Sequence, residues 1–205
     1  MKKITTYTLL LTALGLPLIL SSCATYKPSN TNNLCEIFRG ETDWYEDAVE
    51  ANEKWGTPIF VMMAIMDQES KFIHDAQPER DWFLFIPLPR KSSAYGYAQA
   101  QDPAWDEYIK STGNGGADRD DFEDAIDFIG WYTHTTQRTL NVSKWDTYNQ
   151  YLAYHEGRGG FKRKTYNGKP WLIKVAKKVQ QQAARYNGQL KQCKEELDDK
   201  IDGWF

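Results

Sequence analysis

Several things are scarce in this sequence. With three histidines and three cysteines in 205 residues, no ligand set stands at the spacing that a metal site needs. Neither metal nor cofactor is expected. Basic residues are outnumbered by acidic ones, 25 to 28, and no basic run occurs, which argues against nucleic acid as a partner. No internal repeat stands out, and no segment alternates apolar with polar strongly enough to read as a half-buried strand. What is plentiful is aromatic surface, with eight Trp and twelve Tyr. Flat rings stack on sugar faces and are equally ordinary core material. With 41% hydrophobic residues, the chain can build one domain with a sizeable core. The class expected is all-α, or mainly α.

Residues 1–22 are set apart from that domain. Lys2 and Lys3 precede an apolar segment from Ile4 to Leu20, and Leu20-Ser21-Ser22-Cys23 follows. The order resembles a bacterial lipoprotein signal, in which cleavage precedes the cysteine and its thiol takes a diacylglycerol. That resemblance implies a lipid anchor on Cys23. Ala24 after it implies sorting to the outer membrane, with the chain facing the periplasm. Losing the leader removes two lysines and no acid, so the mature chain is more acidic. Residues 23–40, polar and Pro-containing at their start, are expected to form the lipidated cysteine and a tether. Cys35 and Cys193 then remain. In an oxidising compartment such a pair is expected to form a disulfide that closes the domain ends; the alternative is two free buried thiols.

The domain is expected over residues 41–193, organised around Thr57 to Ser70. Gly56 stops the preceding helix, Thr57 can cap, and Pro58 suits a first helical turn. Ile59 to Met66 is apolar without a break, so a helix here is buried nearly all round. It is far short of the roughly 20 residues needed to span a bilayer. Ser70 falls inside the apolar stripe and Glu69 at its edge. Burial and the negative end of the helix dipole both disfavour a charged carboxyl, so Glu69 is expected to stay protonated near neutrality, as a general acid must.

Helices are expected on either side. The first starts at a capping box of Asp43 and Glu46, and another opens at Asp102-Pro103. A second capping box, Asp120 with Glu123, opens a long helix to about Leu140. A further helix ends at Gly157, and the last runs from Pro170 to Asn187. Residues 194–205 read as an acidic, frayed tail on which Trp204-Phe205 can dock. The segment 77–93 is the odd one, since Pro78, Pro87 and Pro89 exclude a long helix while Trp82 to Leu88 is too apolar for a solvated loop. It reads as a short hairpin or a packed loop, either a wall of a cleft or plain core.

Three pieces then stand in order: Gln68-Glu69-Ser70, Ser93-Ala94-Tyr95-Gly96-Tyr97-Ala98-Gln99, and Tyr151-Leu152-Ala153-Tyr154-His155-Glu156-Gly157-Arg158-Gly159. Together they resemble the lytic transglycosylases of soluble-lytic-transglycosylase type, in the lysozyme-like superfamily, whose motifs are Glu-Ser, Gly-Leu-Met-Gln and Ala-Tyr-Asn-Ala-Gly. The resemblance implies a lysozyme-like domain that cleaves the MurNAc–GlcNAc β-1,4 linkage of peptidoglycan as a monomer without a cofactor. Glu69 matches the catalytic acid/base, and Ser70 the neighbour that orients a sugar or the carboxyl. Gln99 matches the glutamine facing the saccharide, Gly96 the position of close backbone approach, and Tyr154 the tyrosine supporting the catalytic carboxyl. Tyr97, His155 and Glu156 depart from the family pattern, as does the long spacing from Glu69 to Gly96, which bears on subsite shape.

The resembled family works with one carboxyl. It protonates the glycosidic oxygen, then takes the proton from the muramic acid C6 hydroxyl, leaving a 1,6-anhydro end. Hydrolysis instead uses a second carboxyl to activate water. Glu156 is the one to consider for that, although pairing with Arg158 or Arg163 is the expected use. A lysozyme-like hydrolase and a non-catalytic peptidoglycan-binding lipoprotein are the alternatives. Glu69 argues against the latter, since a binder gains nothing from burying a carboxyl.

Overall fold

A computed structural model describes residues 25–203. The leader, the expected lipidation site at Cys23 and the terminal Trp204-Phe205 lie outside the described residues. Among those described, the fold is mainly α, as expected: α1 (Leu34–Gly40), α2 (Asp43–Trp55), α3 (Ile59–Ser70), α4 (Asp102–Thr112), α5 (Phe122–Leu140), α6 (Thr147–Lys162) and α7 (Pro170–Asp202). A hairpin of β1 (Trp82–Phe83) and β2 (Ile86–Pro87) lies between α3 and α4. No described helix is long and apolar enough to cross a membrane.

The core forms around α3, which packs against α2, α5 and α7. Every residue from Ile59 to Asp67 is buried, and each large apolar side chain among them is worth about 1.5–3 kcal/mol relative to exposure. Thr57, expected as a cap, is instead buried, its hydroxyl 2.7 Å from that of Thr133 on α5. Pro58 takes the N-cap position.

The capping boxes fall otherwise than expected. Thr42 caps α2 from a helical φ/ψ and makes no side-chain bond to it, because a hydroxyl reaches the first turn only from an extended backbone. For α5 the cap is Asp121, which accepts from the Asp124 amide at 3.3 Å. Asp120 is occupied with the Tyr95 hydroxyl, 2.8 Å away.

Both domain ends are larger than the sequence reading placed them. The expected tether 23–40 contains α1, whose Leu34, Cys35, Ile37 and Phe38 are buried. The expected end at Asn187 and frayed acidic tail give way to α7, which runs on to Asp202. Tyr186, Leu190, Cys193 and Leu197 are buried at helical spacing. This apolar stripe carries the helix through Gly188, since packing outweighs the roughly 1 kcal/mol that a glycine costs. Cys35 and Cys193 are joined, as expected, in a disulfide, which here links α1 to α7. Arg39 and Glu196 add an ion pair at 2.6 Å.

Candidate active site

The site begins where α3 stops. After Ser70 the chain passes through Lys71 and Phe72, both left-handed (φ 56° and 58°). Each such turn costs an L-residue roughly 1–2 kcal/mol. Phe72 is wholly buried, against the Trp44 ring at 5.9 Å, and that burial offsets the strain. The abrupt stop leaves Glu69 in the last turn of a buried helix.

Glu69 is partly exposed as a residue, yet its Oε1 is sealed from solvent and has no hydrogen-bond partner. Burial pushes its pKa from 4.5 to about 7, against the opposing pull of the Tyr151 hydroxyl and of Lys71. Desolvation therefore dominates, in the direction read from the sequence. A carboxyl balanced near neutrality can give up a proton and take one back. Ser70 does not orient it. Its buried hydroxyl donates at 3.4 Å to the Met66 carbonyl, a bond within its own helix that holds the side chain there.

The second motif forms a tight loop behind α3. Gly96 has φ 76°, and a Cβ there would lie 1.8 Å from the Arg119 carbonyl oxygen. The close approach that demands glycine comes from this chain's own backbone, not from a saccharide. Tyr97 bonds the same carbonyl through its amide at 3.1 Å. Its ring is buried, edge-on to Trp44 and Phe122. It belongs to the core, wedged among aromatic rings, with an edge toward a cavity that it lines with Asp120 and Asp121. Gln99 sits at φ 49° and uses its side-chain amide on the carbonyls of Ala76, at 2.7 Å, and Gly96, at 2.9 Å. Both donors are thereby engaged, so the carbonyl acceptor is what it can offer a sugar.

The third motif lies on α6, capped by Asp146. Gly157 (φ 70°, ψ 155°) breaks the helical backbone where the sequence placed an end, but α6 resumes beyond it. Tyr154 donates to the Ala98 carbonyl at 2.6 Å, so its hydroxyl braces the second motif rather than the carboxyl. Glu69 still raises its pKa through charge, after burial. Glu156 does not pair with Arg158 or Arg163. Its carboxyl accepts from Lys169 at 2.6 Å, from the Thr165 hydroxyl and from His155 at 3.2 Å. Burial alone would raise its pKa, but these partners outweigh it and hold the value at about 2. Arg158 reaches Glu107 instead and lies over the Tyr132 ring at 4.7 Å.

Gln99, Tyr132, Tyr154, His155 and Glu156 line a cavity of about 270 Å³. Glu69 does not line it. Tyr154 is the side chain common to both, as a wall of the cavity and as a neighbour that senses the Glu69 charge. No residue of the hairpin segment lines the cavity either, so 77–93 is neither its wall nor core. Among the described residues no group of three His, Cys, Asp or Glu is arranged to hold a metal.

Two residues carry a role at the site that the sequence did not assign: Tyr151, which it placed only in the third motif, and Trp171, which it placed on the aligned stripe of the last helix. Tyr151 lies one turn before Tyr154 on α6, and the helical spacing could have flagged it. Burial raises its pKa first, then the Glu69 charge. Trp171 is an exposed ring edge-on to His155 at 5.2 Å. Nothing in its local sequence distinguishes it from core tryptophans. Comparison with known families matches residues 11–193 to the transglycosylase SLT domain. Comparisons with curated proteins and with solved structures gave no match.

Proposed function

The chain belongs to the transglycosylase SLT domain family and is a peptidoglycan lytic transglycosylase acting in the cell envelope; from that premise we propose that Glu69 is its single acid/base. As acid, Glu69 protonates the glycosidic oxygen of a MurNAc–GlcNAc bridge while the bond from that oxygen to C1 breaks. As base, it takes the proton of the muramic acid C6 hydroxyl as O6 bonds to C1. The donated proton stays on the released 4-hydroxyl, the C6 proton restores the carboxyl to its starting form, and the product carries a 1,6-anhydro end.

One contrast supports this over hydrolysis. The two carboxyls have opposite environments: Glu69 is desolvated with one oxygen unpartnered and a pKa of about 7. Glu156 has both oxygens taken and a pKa of about 2. A carboxylate that acidic is too weak a base to activate water near neutrality. Along the cavity, the Gln99 carbonyl, the Tyr154 ring and His155 offer contacts to a glycan. Trp171 beside His155 offers a stacking face. Tyr151 tunes the acid. The lipid anchor at Cys23, outer-membrane placement and a monomeric state complete the reading, since a tethered enzyme searches only the wall beside its membrane.

Mass spectrometry of digested peptidoglycan is the test. Anhydro ends are expected from the parent and from Glu156→Gln, and no release from Glu69→Gln. Reducing ends that vanish with Glu156→Gln would overturn the single-carboxyl mechanism in favour of a hydrolase.

A further inference from the structure

The hairpin is the part of the molecule that function has not absorbed. Every residue from Glu79 to Pro89 is exposed, among them Trp82, Phe83, Leu84, Phe85, Ile86 and Leu88. Isolated apolar residues on a surface are ordinary, but a contiguous set marks a site of contact. A two-stranded ribbon standing clear of the domain buries neither of its faces, so packing does not explain the choice of residues.

The tip carries a sharper signal. Leu84 sits at φ 57° in the turn, and Phe85 beside it is 92% exposed. A turn in water takes Gly, Asn or Asp at a left-handed position. Here a large apolar side chain accepts the strain and a second one points into solvent. Below the tip the chemistry changes. Lys91 pairs with Asp81 at 2.8 Å, Arg90 bonds the Pro78 carbonyl, and Arg80 is exposed. An apolar tip with Trp82 at its shoulder and charged groups at its base follows the polarity profile of a lipid interface, from acyl chains through aromatic belt to headgroups.

Its placement agrees. The hairpin rejoins the domain at Ser93, whose carbonyl accepts from Arg119 at 3.1 Å. The first described residue, Thr25, lines a cavity with Asp120 and Asp121. The start of the described chain faces a cavity shared with Asp120 and Asp121, and the root of the hairpin is bonded to Arg119, so both lie on the side of the domain that carries residues 119–121. Cys23 precedes Thr25 by two positions.

We propose that the hairpin tip, Trp82 to Leu88, inserts into the acyl region of a phospholipid membrane as a second foothold beside the chain's start. Insertion holds the domain in one orientation, which a single point of attachment does not. The argument from placement rests on the Cys23 anchor; the argument from the tip does not.

The test uses the full chain and its Cys23→Ser form with vesicles of phosphatidylethanolamine and phosphatidylglycerol brominated along the acyl chains. Residues 1–24 hold no tryptophan, so quenching of tryptophan emission reads the domain and not the leader. Quenching is expected in both forms, and it should disappear in Trp82→Phe. It should disappear also in the double variant Leu84→Asn, Phe85→Gly, which keeps Trp82 but restores an aqueous turn. Circular dichroism and release of anhydro products from soluble glycan fragments should be unchanged in both variants. Quenching that survives in either variant would overturn the proposal. So would a hairpin-dependent dimer in sedimentation without lipid, or hairpin variants that lose peptidoglycan pelleting but keep their vesicle quenching. If Cys23→Ser alone abolishes quenching, the tip has no affinity of its own and the proposal also fails. Loss of activity in Glu69→Gln is read separately and bears only on catalysis.

Discussion

Replacing Glu69 by Gln should make the protein more stable and inactive at once. The folded state holds the carboxyl at a pKa of about 7 against an ordinary 4.5. Between these values the folded protein keeps a proton that the unfolded chain has lost. Unfolding free energy therefore falls as pH rises, by about 1.4 kcal/mol per pH unit from this group alone. The stabilisation by the neutral form is complete below pH 4.5 and gone above pH 7, a loss of about 3 kcal/mol over the window. Glutamine has nothing to lose. Glu69→Gln should match the parent near pH 4 and exceed it by up to about 3 kcal/mol at pH 8. Urea unfolding at half-unit pH steps gives the difference curve, in which every other titrating group cancels. Muropeptide release should fall by at least about 10²-fold. A difference curve flat from pH 4 to 8 would show that the carboxyl is not desolvated. The assignment of Glu69 as the acid would fall with it.

Asp47 titrates in the same window. Burial first, then the nearby Glu123 and Asp121, raise its pKa to about 7, so Asp47→Asn should remove a further part of the parent's pH slope in the same urea series, with activity retained. Tyr151→Phe deletes a group that lowers the Glu69 pKa; the alkaline limb of kcat/KM should move to higher pH, measured on soluble glycan fragments across pH 5–9. Gly96→Ala places a Cβ 1.8 Å from a backbone oxygen at a φ of 76°, and should cost more than about 2 kcal/mol in thermal unfolding. Replacing Cys35 and Cys193 together by Ser opens a loop with a sequence separation of 158, which the chain-entropy account values at about 4–5 kcal/mol, read as a lower urea midpoint.

Much of the scaffold could be read from local chemistry. Gly56, Asp102-Pro103, Gly157 and Pro170 each punctuate the chain where the sequence placed a break, because glycine and proline act through their own backbones. Glu69 was legible for a related reason: an acid at the edge of an unbroken apolar helix has few ways to avoid burial. The misreadings share a different cause. Whether Gly188 ends α7 depends on a stripe that finds α1 as its partner, and whether Gly96 faces a ligand depends on where Arg119 comes to rest. Such facts are settled by packing between distant segments, which no window of residues contains. The same holds for Glu156, whose partner Lys169 arrives from the turn after α6, and for Tyr154, whose hydroxyl finds Ala98.

The bridge between α1 and α7 fixes where added cargo would emerge. Because the first and last helices are stapled side by side, a fusion appended beyond Gly203 leaves the domain beside its own beginning rather than at the opposite pole. A bulky reporter there would crowd whatever grips the front of the chain, whereas a loop such as Gly113–Gly116, with open space around its glycines, would carry the same cargo without contest.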